Sequence, residues 1–407
     1  MFKKSLAAVA VLGAFAASSF AADVTFYGKV DMGLQYKNAE TTSVLGVKDT
    51  EESLKLDSGV GLASRIGLKA TEDLGNGDKV AFKLEGDFAT DDGTLAKNKL
   101  WQREASLSYI GNWGTLYAGR YGSFSGAAGS TDIVMSRMDV FDGGHKGSEL
   151  LGLGRMDNAL SYISPKFAGF QAAAMYSFKN DNTKAGDEGH ANTDKYAGLA
   201  MTYDIGALQT AVSYEQVLRG NTSKFDDGKI ISFGGNYDFD MFKVFFGAQV
   251  FEGMDKIYGS ADALDSTNEY AYDYLKNTHH QDAFNPDGTL TDAGKNVTIG
   301  MTRDGIEGYG LHAGVEFQAL AGNWEFGMYY ADAELDALAK VTPQFGVDGE
   351  YFGVNGRYIY KLSNRTEIRS SVAYQSEKWE GTDASVNDSR EWKKDSYLAC
   401  VSLTHNF

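Results

Sequence analysis

VTFYGKVDMGLQY, residues Val24 to Tyr36, divides its side chains between two surroundings. Val24, Phe26, Val30, Met32 and Leu34 lie on one side of an extended chain, and Thr25, Lys29, Asp31 and Gln35 lie on the other. Neighbouring side chains of a strand point to opposite faces, so the stretch is a strand with an oily face and a wet one. Residues 59–70 repeat the division, with Val60, Leu62, Ile66 and Leu68 set against Arg65 and Lys69. Similar segments follow near 78–89, 99–111, 114–121, 157–165, 169–179, 195–205, 207–218, 229–239, 241–252, 308–320, 322–334, 349–362, 364–377 and 394–407. Together they predict about sixteen strands. Their wet faces carry both signs of charge at mid-strand, as in Lys29 with Asp31, Lys83 with Glu85 and Glu367 with Arg369, which suits a water-filled interior.

The connections alternate in length. Asp204 to Ala207, Asp238 to Met241 and Ala321 to Asn323 are tight, whereas 41–58, 180–194 and 253–305 are long and polar. Aromatic residues gather at strand ends, among them Tyr36, Trp113, Tyr176, Tyr203, Tyr237, Tyr330 and Tyr360, where the interfacial girdles of a membrane barrel belong. Only 3 prolines interrupt the chain, consistent with many ladder-bonded strands, because proline has no N–H to give to a ladder. No stretch after residue 22 is apolar for as long as a membrane-spanning helix requires. A membrane protein of this sequence must therefore be a closed barrel, the other structure that satisfies every backbone group in lipid.

Residues 1–21 read as an export signal: Lys3 and Lys4, an apolar core from Leu6 to Ala17, then small residues up to a cut after Ala21. The remainder, 22–407, reads as one barrel domain with a surface loop at about 253–305, inside which 258–277 suits a short helix. The single cysteine, Cys400, excludes an intramolecular disulfide framework. The net charge of −17 argues against a nucleic-acid partner and predicts a mild preference for cations in transit.

Between the strand-like GTLYAGRYG (Gly114 to Gly122) and NALSYISPKFAGF (Asn158 to Phe170) lies a long connection without apolar period. Loops of this length are functional or disordered, and we expect residues 121–155 to fold inward and narrow the channel. This segment holds Asp132, Asp139, Asp142 and Glu149, with Arg120 and Arg155 at its ends. Enzyme readings find no support. GSFSG at Gly122 has Phe124 where a nucleophile elbow needs serine, and His279, His280 and Asp282 lack the ordered spacing of a metal site. No phosphate loop or dinucleotide motif occurs in a strand-to-helix setting, so no cofactor is expected.

The chain ends on an apolar strand face, Tyr397, Ala399, Val401, Leu403, His405 and Phe407. A barrel pairs its last strand with its first to abolish the edges, so Tyr397, Val401, Leu403 and Phe407 are the expected closure and assembly signal. At this point the chain resembles the trimeric general porins of Gram-negative outer membranes. The resemblance rests on FYGKVDMGLQY, on SRIGLKATEDLGNG from Ser64, on GTLYAGRYG from Gly114, on NALSYISPKFAGF from Asn158 and on the terminal Phe407. It implies an all-β, sixteen-stranded transmembrane antiparallel barrel, a homotrimer in outer-membrane lipid, and a third loop folded inward as an eyelet. It also implies that wall arginines Arg65, Arg103 and Arg155 oppose loop carboxylates, with Asp132 leading and Asp139 or Asp142 second.

Alternation places Arg65 on the wet face of its strand, and Arg357 and Arg369 likewise. Arg103 shares parity with Leu107 and Tyr109 and therefore requires a bulge or a subunit contact. Arg120 has the same difficulty. Lys29 and Lys69 complete the candidate lumen set. The expected function is passive diffusion of small hydrophilic solutes and ions. The alternatives are an oligosaccharide-specific channel, which needs a ladder of aromatics along the lumen, and a secreted all-β binding or adhesion module.

Overall fold

A computed structural model describes residues 24–43, 45–95, 99–126, 129–142, 150–182, 186–221, 223, 226–254, 305–335, 345–383 and 388–407. The export signal expected at 1–21, nearly all of the loop at 253–305 with its expected helix, and Glu149 lie outside the described residues. In chain order the strands are β1 (Thr25–Thr42), β2 (Lys48–Ser58), β3 (Arg65–Asp73), β4 (Lys79–Asp87), β5 (Glu104–Gly111) and β6 (Gly114–Gly122). A one-turn helix α1 (Met135–Met138) precedes β7 (Arg155–Ile163), β8 (Phe170–Ser177), β9 (Lys195–Ile205), β10 (Leu208–Leu218), β11 (Gly228–Asp238) and β12 (Phe242–Met254). The last are β13 (Ile306–Ala319), β14 (Gly322–Leu335), β15 (Phe345–Lys361), β16 (Thr366–Asp383) and β17 (Asp388–Asn406).

Every strand pairs antiparallel with its neighbours, and β1 pairs with β17 from Lys29↔Asn406 to Thr42↔Lys393, which closes the sheet. The terminal Phe407 extends the seam through reciprocal backbone bonds with Gly28 and a ring contact with Phe26 at 5.6 Å. Seventeen segments fill sixteen barrel positions because β2 and β3 are two halves of one position: both pair with β1, β2 along 32–42 and β3 along 25–29. Two expectations are corrected here. The stretch read as the loop 41–58 is largely strand β2, and the strand read from residue 59 joins the ladder only at Arg65. In KDTEESLKLDS the contrast of polarity is confined to Leu54 and Leu56, which alternate with Ser53, Lys55 and Asp57, and the charged first half gives no period from which the whole strand could be read.

Along each strand one set of apolar side chains lies exposed on the outside, among them Leu34, Leu199, Ile231, Leu311, Val372 and Val401. The opposite set is polar and mostly buried, including Asp31, Ser213, Gln249, Asn355 and Thr404. A soluble protein would place these sets the other way round, whereas a barrel in lipid requires this arrangement. The short-turn rim carries stacked rings, Tyr109 on Trp113 on Tyr162, Phe170 on Tyr203, and Trp324 with Tyr358, as an interfacial girdle does.

At the seam, the fully buried Asp31 carboxylate accepts bonds from Gly61 N–H at 2.9 Å, Ser402 Oγ at 3.0 Å and Thr404 Oγ1. Asp31→Ala would leave three buried donors without an acceptor, and bonds to a charged group are each worth about 1.5–3 kcal/mol. We expect that variant to lose about 3 kcal/mol or more, read as a lower urea midpoint for the heat-modifiable folded band. An unchanged midpoint would show that Asp31 does not hold the seam.

Candidate functional site

The connection between β6 and β7 begins and ends at one place, where Ser123 N–H donates to Gly154 O at 2.9 Å. From there its described residues touch walls far apart around the barrel. Ser130 N–H reaches Glu104 at the start of β5, Ser125 N–H reaches Glu215 on β10, and Asn236 on β11 donates to Arg137 O. Gln249 on β12 exchanges two bonds with the Leu151 backbone, at 2.8 and 2.9 Å. Asp142 bonds Arg357 on β15 at 2.6 Å and Arg369 on β16 at 2.8 Å. One short segment meets walls from β5 to β16 only by crossing the barrel's interior, and each wall residue named stands on the side opposite the exposed apolar set.

Apolar burial fixes the crossing. Phe124, Val134, Met138, Leu150 and Leu151 are buried in one cluster with the inward-facing Tyr196, Ile230 and Phe251. Side chains of this size contribute about 1.5–3 kcal/mol each when fully buried. Glycines on the wall make the seat: a Cβ on Gly247 would meet Leu150 at 3.2 Å, and one on Gly314 would meet Val140 at 2.8 Å.

The charges form two groups. On the β3–β7 wall, Arg103 donates to Glu85 at 2.6 Å and to Asp87 at 3.2 Å, Arg65 lies 3.9 Å from Glu85, and Lys83 pairs with Glu104 at 2.8 Å. Arg155 donates to Arg103 O at 2.9 Å. Arg103 faces inward despite its parity because residues 101–103 turn before β5 begins, which resets the alternation. Arg120 sits where β6 and β7 shift register, donating to Gln102 O and pairing with Asp157. The second group is Asp142 between Arg357 and Arg369, with Glu325 and Glu367 behind them. Among the described residues no carboxylate lies within ion-pair distance of Lys29 or Arg155, and Arg65 and Arg369 are prominent charges around Lys29.

The other expected residues take different places. The Asp132 carboxylate accepts the Ser136 N–H at the start of α1, and Asp139 stands 3.9 Å from the buried His312. Lys69 lies over the Tyr27 ring. Wall acids Glu85, Asp87 and Glu325 hold the arginines; Asp87 and Glu325 escape the sequence reading, and Glu85 reads there as a lumen charge beside Lys83 but not as a partner of Arg103. No local pattern pairs Glu325 with Arg357.

Asp142 supplies a pH test. Partial loss of surrounding water works to raise its carboxyl pKa, but Arg357, Arg369 and Lys29 outweigh this and hold it well below the usual carboxylate range. A depressed carboxyl contributes fully above its ordinary pKa of about 3.9 and fades as pH falls through the lower folded value. Wild type and Asp142→Asn should therefore differ in open-channel noise by a constant amount from neutral pH down to about pH 4, and converge only below that. Convergence by pH 6 would contradict the assignment.

A model of the Gram-negative porin family matches residues 7–379. The chain is 30% identical over 269 residues to an outer membrane porin protein of Bordetella pertussis, covering 60% of this chain and 68% of that one. It is 31% identical over 253 residues to outer membrane porin protein 32 of Delftia acidovorans, again covering 60% and 68%. Among solved structures it resembles the anion-selective porin from Comamonas acidovorans, with a TM-score of 0.60 at 21% identity over 95% of this chain and 100% of that one. It also resembles the trimer form of OmpT from Vibrio cholerae, with a TM-score of 0.55 at 14% identity over 95% and 100%. At these identities the structures speak for the fold.

Proposed function

Because this chain belongs to the Gram-negative porin family, we propose that the segment between β6 and β7 is the constriction of its channel and decides which small hydrophilic solutes and ions pass. The protein lies in the outer membrane and is a passive channel, not an enzyme. The observation that carries the constriction is the chord from Glu104 to Arg369, which divides the lumen at fixed anchor points. Liposomes containing the protein should swell in small sugars and progressively less as sugar size increases. Equal swelling in all sizes would remove the constriction.

The ion preference is proposed from the lumen, because the net charge of −17 is spread over the whole chain and does not by itself support a cation preference. Lumen carboxylates Glu85, Asp87, Glu104 and Asp142 are each occupied by an arginine or lysine, whereas among the described residues Lys29 and Arg155 present charge with no carboxylate at ion-pair distance. Passing anions meet available donors while passing cations meet occupied acceptors, so a weak anion preference follows.

An oligosaccharide-specific channel is less well supported. Inward-facing Tyr329, Tyr351, Trp379 and Trp392 stand on successive strands β14 to β17, but all are buried at 2% exposure or less and offer a passing sugar no face. We further propose a homotrimer, removal of residues 1–21 on export, and recognition of the β17 end by the barrel assembly machinery. Cross-linking in native membranes that stops at three copies supports the first, and a ladder that stops at one overturns it.

A further inference from the structure

Between β2 and β3 the ladder opens: Met32 pairs with Ser58 and Lys29 with Arg65, so Val30 and Asp31 alone are opposed by six residues, 59–64. Four residues more than a continuous strand needs are thus displaced from the sheet. The gap is filled. The Ser64 hydroxyl accepts Asp31 N–H and donates to Asp31 O, both at 3.0 Å, and so takes the place of a strand backbone. Gly59 N–H bonds Asp31 O, and Ser64 O accepts Phe88 N–H on the opposite side. Ser58, Ser64 and Thr90 share hydroxyl contacts at 2.8–3.1 Å.

The displaced residues lie on the inner face. Gly61 N–H bonds the inward Asp31 carboxylate, and a Cβ at Gly61 would stand 2.3 Å from Ser402 Oγ, 2.7 Å from Asp31 Oδ2 and 3.0 Å from Arg369 Cδ. Only glycine can approach so closely. Val60 and Leu62 are almost wholly buried. Two of the site's cations depend on this turn of chain. Arg65 donates its Nε–H to Ala63 O at 3.1 Å, and Arg369 lies between Gly61 and Asp142.

We infer that residues 59–64 are a second element folded into the lumen, which positions Arg65 and Arg369 and narrows the passage from the β1–β4 side. Bulges re-aim side chains next to functional sites, and this one holds two arginines from behind while the segment between β6 and β7 meets one of them from the front. The inference rests on the channel reading, since an aperture has meaning only in a channel. Residues 59–64 are positioning residues, and the solute meets the guanidinium groups that they hold.

Deleting residues 60–63 removes an even number and leaves Gly59 and Ser64 opposite Asp31 and Val30, so every later side chain keeps its face. Single-channel conductance of the assembled deletion should rise by roughly 1.5-fold or more, and conductance equal to wild type would overturn the inference. Should the deletion fail to yield a heat-modifiable band, the conservative variant Ala63→Cys in a Cys400→Ser background decides. A negatively charged methanethiosulfonate reagent should reduce its current in steps, and full labelling without a change of current would overturn the inference. Wild-type protein that conducts beside variants that behave identically fails this inference alone, whereas wild-type protein that never conducts fails the channel reading.

Discussion

Excising residues 124–153 and joining Ser123 to Gly154 through two glycines should raise single-channel conductance by roughly two- to threefold and let larger sugars into liposome-swelling assays. The excision is feasible because those two residues are already hydrogen-bonded neighbours, so the barrel strands on either side need not move. Its cost is equally predictable. Tyr196, Ile230 and Phe251 face inward and are buried against the segment, and exposing each to lumen water forfeits about 1.5–3 kcal/mol. The excised barrel should therefore conduct more and unfold at lower urea. A variant that assembles and conducts as wild type would show that the narrowest point lies elsewhere. A variant with higher conductance and undiminished stability would show that the wall cluster contributes little beyond filling space.

That cluster also shows where a sequence can and cannot be read. The outward faces follow from parity alone, since lipid permits only apolar side chains there and the period of two is local to each strand. The inward connection was visible as a long aperiodic stretch between two strands, and its arginine-facing acid Asp142 was among the candidates named. What parity cannot supply is pairing across the lumen. Arg357 and Asp142 are more than two hundred residues apart and meet only because the segment crosses the barrel. The 59–64 displacement was hidden for a different reason. Val60, Leu62, Ile66 and Leu68 keep the period through the gap, yet Val60 and Leu62 are buried inside it, so the same apolar pattern served two different packings. Arg103 misled in the opposite sense: counting residues back from Leu107 assumes an unbroken strand, and the turn at 101–103 breaks it.

Replacing Lys29, Arg65 and Arg155 together by glutamine should reverse the ion preference proposed for this channel, because the carboxylates they leave behind are held by other partners. Glu85 and Asp87 remain bound by Arg103, Glu104 by Lys83, and Asp142 by Arg357 and Arg369, so the wall loses three positive charges without a compensating rearrangement. In bulk water a unit charge about 4 Å from a passing ion contributes about 1 kcal/mol. Screening over about 10 Å at 0.1 M salt reduces this further for the more distant of the three. A shift in the anion-to-cation permeability ratio of roughly three- to tenfold follows, read as a change of sign in the reversal potential under a salt gradient, larger in dilute salt. Arg120→Gln provides the comparison, because Asp157 and Gln102 O already hold that guanidinium and its removal should shift the ratio far less. If the triple variant retains the wild-type reversal potential, selectivity is set outside this wall, and the lumen arginines serve to hold the inner segment.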